Sequence, residues 1–317
     1  MCRRFSQVIL RVIWQGKPNQ LCSLTVGLCP SLPIALRVKD LRTIELDIPA
    51  VCDRIALCGG PYSNFGAVAA FLDRTAGVDY RFCLGDMGGF GPFPNRTLEL
   101  LRQAAVICVQ GNYDQAIGDG DRDCGCGYTD PRDREFAQIS YDYTYAHTAP
   151  THRQWLQTLP QLIRLRWRDR AFLLCHGSPD VVNEFVWESD TADSWIASWL
   201  DRFAVDGIFA THTGIPWVRQ VAQGFWCNVG VLGRPAHEGQ PHVYFAELRW
   251  PRAAAIARPE IVPLSYDPQP VVAAMAREGL PTEFQQSLLT GIWTTCAEIL
   301  PEAERRVRSR LPVPQRS

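Results

Sequence analysis

From residue 54 onward, short apolar runs each end on Gly, Asp, Asn or His, and amphipathic stretches separate one run from the next. The runs are RIALC (54–58), YRFCLGD (80–86), AVICVQGN (105–112), AFLLCHG (171–177), GIFATHT (207–213) and FWCNVG (225–230). Between them, 64–75, 94–104 and 189–203 return an apolar residue every three or four positions, which predicts helices. Strand and helix in alternation mean an α/β fold with parallel or mixed strands. In such folds the polar residues just past strand C-termini converge on one crevice. Asp86, Asn112, His176 and His212 all stand at such strand ends. Further on, 118–130 (GDGDRDCGCGYTD) reads as a loop, and 269–278 and 282–300 read as helices. No internal repeat is visible.

With 317 residues, 46% of them hydrophobic, the chain has the apolar mass for one large domain or two small ones. Its formal net charge of −1 provides no global field to recruit nucleic acid or an anionic membrane. Arg164, Arg166, Arg168 and Arg170 alternate with Leu165, Trp167 and Asp169, the pattern of a strand with a solvated basic face. The twelve cysteines are scattered, and Cys58, Cys83, Cys108 and Cys175 lie in apolar runs where the thiol acts as a small buried hydrophobe. No apolar run reaches the ~20 residues that span a bilayer. The opening MCRRFSQVILRVIWQG is interrupted at Arg11 and has no clean cleavage site, so it is not read as a signal peptide. A soluble, cytoplasmic protein is expected.

Taken singly, each polar strand end has a plain structural explanation. Asp86 after Gly85 suits a turn or cap, and so does Asn112. An imidazole at the end of a buried strand needs a partner, and His176 and His212 both have that placement. Together, an Asp, an Asn and two His, each at a different strand end of one sheet, make a ligand set for a borderline divalent cation such as Zn, Mn or Fe.

The order GD, GN-x-D, HG and H-T resembles that of the calcineurin-like metallophosphoesterases, in particular their small bacterial phosphodiesterase-like branch. The stretches that carry the likeness are CGGPYSN (58–64), LGDMGGFGP (84–92), GNYD (111–114), CHGSP (175–179), ATHTGIP (210–216) and NVGVLGRP (228–235), with Tyr266, Asp267 and GLP (279–281) later on. The resemblance runs from about residue 54 to 291 and implies a four-layer α/β/β/α sandwich. It also implies which residues would bind metal. One of the family's two sites takes a bridging Asp, an Asn and two His, which correspond here to Asp86, Asn112, His176 and His212. The other takes an Asp, a His, the same bridging Asp and a further His. The corresponding positions are Gly60, Tyr62, Asp86 and Gly214, so that only the shared ligand is kept. The His that binds and protonates the ester in the family is Tyr113 here, a weaker acid at neutral pH.

The departures sort by metal site, so one divalent ion (Mn, Fe or Zn) is expected. It would act on a small-molecule phosphoester, with Tyr113 as a phosphate-side donor. The rival reading is a silent binding or regulatory protein that keeps the fold. Gly60 and Gly214 are read as leaving room, and Tyr62 as filling space or reaching the metal as a phenolate. Residues 1–50 read as an N-terminal extension, 51–295 as the phosphoesterase-like domain and 296–317 as a helix end and frayed tail. Cys124 and Cys126 read as exposed loop thiols. His147, His152, His237 and His242 match no motif and read as surface residues, although His237 and His242 fall near the GRP segment that borders the site.

Overall fold

The computed structural model describes residues 43–222, 224–250 and 258–305, together with the backbone of three short strands, β1 (Leu10–Val12), β2 (Cys22–Leu24) and β3 (Leu36–Val38). The signal-peptide question and the tail beyond residue 305 fall outside the described residues. β1 and β2 pair with each other.

The remaining strands form two sheets. One runs β14 (Arg258–Leu264), β13 (Val243–Arg249), β5 (Arg54–Cys58), β6 (Tyr80–Cys83) and β7 (Ile107–Cys108). Within it, β5, β6 and β7 are parallel. The other has seven strands, in the order β11 (Trp217–Val221), β12 (Gly224–Asn228), β10 (Gly207–Ala210), β9 (Arg170–Leu174), β8 (Leu162–Trp167), β4 (Thr43–Ile48) and β3. The sheets pack face to face: Ile44, Leu46, Leu165, Trp167 and Phe172 from one share a buried cluster with Ile55, Leu57 and Phe82 from the other. Each such aliphatic side chain contributes about 1.5–3 kcal/mol by leaving water.

Helices cover both outer faces. On the five-stranded sheet, α1 (Phe65–Arg74) and α2 (Pro94–Gln103) lay Ala67, Val68, Phe71, Leu98 and Leu101 on Ala56, Cys83 and Phe245. Asn64 starts α1 by accepting the Ala67 N–H at 3.1 Å. Three helices follow β7, namely α3 (Asn112–Asp119), α4 (Pro131–His147) and α5 (Pro150–Gln157). On the seven-stranded sheet, α6 (Asp193–Phe203) packs Ile196, Trp199 and Leu200 on Leu173, Ile208 and Trp226. Then come α7 (Gln269–Arg277), α8 (Thr282–Thr290) and the short α9 (Glu302–Arg305). The result is the expected α/β/β/α sandwich.

Several local expectations need correcting. The stretch before residue 50 holds β4, which pairs parallel to β8 and puts Ile44, Leu46 and Ile48 in the core. The basic run is not a free solvated face. Arg166 binds Glu45 at 3.1 Å and Asp47 at 2.8 Å, Arg168 binds Asp53 at 2.6 Å, and Arg170 binds Asp206 at 2.7 Å. The helix expected to reach residue 300 stops at Gly291, whose left-handed backbone (φ 72°) closes α8. Cys58, Cys83, Cys108 and Cys175 are buried as free thiols, as their apolar runs imply.

Candidate metal centre

Four strand ends converge, two from each sheet and not all from one as expected, because β6 and β7 belong to the five-stranded sheet and β9 and β10 to the seven-stranded one. Asp86 follows β6, Asn112 opens α3 after β7, His176 follows β9 and His212 follows β10, and all four side chains are buried. His176 Nε2 lies 3.2 Å from Asp86 Oδ2 and 3.0 Å from His212 Nδ1. Ligand atoms bonded at about 2.0–2.2 Å in a tetrahedral site sit roughly 3.3–3.5 Å apart, so these three are spaced as neighbours around one cation. Asn112 Oδ1 is buried with no hydrogen-bond partner, while its Nδ2 donates to the Cys124 carbonyl at 2.8 Å and to Cys126 Sγ at 3.4 Å. The amide is thus oriented from behind with its oxygen free, as an outer partner orients a ligand. The donor set fits a divalent transition ion. Asp86 and His212 both hold positive φ (56° and 54°), a backbone cost of the kind that collects at functional sites.

The surrounding electrostatics favour this arrangement. His176 Nδ1 meets the Leu84 carbonyl at 2.7 Å, which assigns the proton to Nδ1 and leaves the Nε2 lone pair for a ligand. Burial and the neighbouring His176 push His212 down to about 3, so it stands neutral. Burial would lower His176, but the Asp86 carboxylate outweighs it and holds the imidazole above its usual value. That extra proton is one a cation would displace. Burial would likewise raise Asp86, and the charge and hydrogen bond of His176 bring it below the carboxylate range.

The loop that carries Asp86 is held by a residue sequence reading overlooked. Asp114 is fully buried and accepts the N–H groups of Asp86 (2.8 Å), Met87 (3.0 Å) and Gly111 (2.9 Å). Burial and the Asp86 charge push its carboxyl up to about 8. The two loops approach so closely that a Cβ at Gly111 would fall 2.5 Å from the Asp86 nitrogen. Asn228 does similar work for His212, donating to the Thr211 carbonyl at 2.7 Å and to Thr213 Oγ1 at 2.8 Å. The spacing of GNYD and FWCNVG marked both positions, but nothing in them separates a ligand from a loop anchor.

The other expected positions fare differently. Space beside Gly60 is taken: a Cβ there would meet Val231 Cγ1 at 2.5 Å and Tyr62 Cζ at 2.8 Å. Tyr62 packs edge-on against Phe90, and burial followed by the Asp86 charge raises its phenol. It fills space and is not a phenolate. Near Gly214 a Cβ would find Trp293 at 3.4 Å, an ordinary contact. The Tyr113 hydroxyl is committed to α4, at 2.9 Å from Ser140 Oγ and 3.2 Å from the Ala137 carbonyl. Cys124 and Cys126 are buried and joined as a disulfide under Asn112, not exposed. His237 and His242 are buried as well. His237 Nδ1 accepts the Trp293 N–H at 2.8 Å, and His242 Nε2 lies 2.9 Å from Glu238. His147 is exposed and His152 half-buried.

Residues 53–235 match the family described as calcineurin-like phosphoesterase. An uncharacterized protein of Methanocaldococcus jannaschii is 28% identical over 170 residues, 52% of this chain and 63% of that protein, so the match spans less than two thirds of the relative's length. Among solved structures, a metallophosphoesterase from Sphaerobacter thermophilus superposes with a TM-score of 0.58 at 26% identity, covering 76% of this chain and all of that one. A hypothetical protein from Pyrococcus horikoshii superposes with a TM-score of 0.64 at 20% identity, covering 75% of this chain and 98% of that one, a likeness of fold. The chain belongs to the calcineurin-like phosphoesterase family.

Proposed function

We propose that the protein holds one divalent transition metal, Mn, Fe or Zn, on Asp86, Asn112, His176 and His212, and hydrolyses a small-molecule phosphoester. The observation that carries this reading is the buried convergence of Asp86, His176 and His212 donor atoms, supported by the buried Asn112 oxygen, which has no hydrogen-bond partner. A divalent ion there supplies Lewis acidity toward a phosphoryl oxygen and lowers the pKa of a water. The chain's own groups do the rest. His176 is held in one tautomer by Leu84, His212 is kept neutral, and Asp114 fixes the Asp86 loop so that no ligand needs to reorganise. The net charge of −1 favours a small substrate over a polyanion. Among the described residues no helix is long and apolar enough to cross a membrane. A cytoplasmic location is part of the proposal.

A second reading, a silent binding protein, draws on the Tyr113 hydroxyl. Its bonds to Ser140 and Ala137 leave the donor expected for the leaving oxygen engaged elsewhere. One experiment separates the two. Elemental analysis of the purified chain should find about one ion per chain, lost in Asp86→Ala. Single-turnover hydrolysis of phosphodiesters and phosphomonoesters, with metal in excess, should then exceed the Asp86→Ala rate. Metal bound by wild type with equal rates for both proteins on every ester leaves the binding protein, and no bound metal refutes both forms of the site.

A further inference from the structure

Arg234 is a buried guanidinium, 6% exposed, and among the described residues it forms no ion pair with a carboxylate. It stacks on Trp293, with its central carbon 4.0 Å from the ring centre, stands 5.5 Å from the Phe90 ring, and donates one bond to the Thr295 carbonyl. The carboxylate that acts on it from beyond ion-pair distance, Asp133, accepts the N–H groups of Glu298 (2.9 Å) and Ile299 (3.2 Å) through Oδ2, while its buried Oδ1 has no hydrogen-bond partner. Taking an ion out of water without a partner is costly, and burial lowers the Arg234 pKa accordingly. A guanidinium nonetheless keeps its charge and carries five donors in a fork that matches phosphate oxygens.

Where that charge points decides its use. Arg234 lines the same narrow cavity as His212, Tyr62, Gly214, Phe185 and Trp293. His212 belongs to the metal centre, and Tyr62 and Gly214 occupy two of the positions where the family's second cation would be ligated. A fixed positive charge therefore borders the ground that a second metal would hold, although the Tyr62 and Val231 side chains fill the part of it beside Gly60. We infer that Arg234 is a binding residue for a phosphoryl oxyanion, supplying beside the single metal the positive charge a second ion would otherwise provide. As it stands the cavity has free space of only about 10 Å³, room for about one water, so a phosphoryl oxygen reaches Arg234 only as side chains at its mouth shift. The inference rests on the phosphoesterase reading for the identity of its ligand, but the charge and the cavity stand without the metal.

The test uses inorganic phosphate and the full chain, first stripped of metal by chelation and then reloaded. Calorimetry on wild type should detect phosphate binding in both states, and the tryptophan emission should respond because Trp293 stacks on Arg234. Arg234→Met should weaken phosphate by roughly tenfold or more in both states, and Arg234→Lys, a point charge without the fork, should fall between. Elemental analysis should find the metal unchanged in both variants. If metal-free wild type binds no phosphate, or if a folded Arg234→Met binds it as wild type does, the inference is overturned. Should Arg234→Met fail to fold, Arg234→Lys with undiminished phosphate affinity overturns it equally. A chain that binds no metal but loses phosphate in Arg234→Met sinks the metal reading and leaves this one standing.

Discussion

Substituting Gly60 by alanine tests whether the ground beside the metal centre is open or filled. Gly60 sits at φ +36°, where an L side chain costs about 1–2 kcal/mol. The added Cβ would also lie 2.5 Å from Val231 Cγ1 and 2.8 Å from Tyr62 Cζ, both in buried side chains. Forcing a methyl into a packed core typically costs about 1–3 kcal/mol. The two effects together predict a loss of about 2–5 kcal/mol, or a fall in Tm of roughly 5–15 °C for a domain of this size. Urea unfolding of Gly60→Ala, Val231→Ala and the double variant measures it. Val231→Ala removes the nearest atoms, so the double variant should recover the packing part but not the backbone part, with a coupling of about 1 kcal/mol or more. Gly60→Ala within about 0.5 kcal/mol of wild type would mean that Tyr62 and Val231 yield freely, and the filled-site description would be wrong.

Asp114 titrates with a folded-state pKa raised to about 8, so its stabilising contribution is complete below the ordinary carboxylate pKa and is lost as pH rises through about 8. Asp114→Asn should therefore flatten the stability of the metal-free protein between about pH 4 and 8, read as Tm against pH; an unchanged slope would refute it. Tyr113→Phe removes a hydrogen bond to α4 and should cost about 1 kcal/mol in unfolding experiments while leaving hydrolysis within twofold. A kcat lower by roughly 10²-fold would instead restore the tyrosine to the chemistry. A chain beginning at Asp53 lacks β4 and its buried Ile44, Leu46 and Ile48, and should not yield a folded, metal-binding protein. Circular dichroism and elemental analysis matching the full chain would show that β4 is dispensable.

The site was legible where chemistry and chain position coincide. Asp86, Asn112, His176 and His212 each have a plain structural reading alone, and stood out only as a set of polar residues closing apolar strands in the order the family resemblance implies. β5, β9, β10 and β12 were readable as apolar runs. What escaped detection lacked a hydrophobic signature. The buried face of α4 is Asp133, Ala137, Ser140, Tyr141 and Thr144, a helical spacing in which polar residues do the packing through hydrogen bonds such as Phe90 N to Ser140 Oγ at 2.7 Å. β4 alternates Thr43, Glu45 and Asp47 with Ile44, Leu46 and Ile48, a clear strand pattern, but its neighbour β8 lies far along the chain and no local feature points to it. Arg234 is invisible on its own, since only the fold brings it to the cavity that His212 lines, with no ion pair to a carboxylate among the described residues.

That remoteness of β4 from β8 has a consequence for how the molecule is made. Arg166 of β8 binds Asp47 of β4 across 119 residues, and the parallel register joins the strands from Thr43 against Leu162 to Ile48 against Trp167. On the ribosome β4 emerges after its neighbour β3 but well before its other neighbour β8 exists, while β5, β6 and β7 can already pair with one another in order. The nascent chain thus carries the apolar edge of β4 unsheltered through the synthesis of all the intervening helices, a period of order ten seconds at ordinary elongation rates. Until β8 is made, β3 is the strand available to pair with β4 and shelter one of its edges.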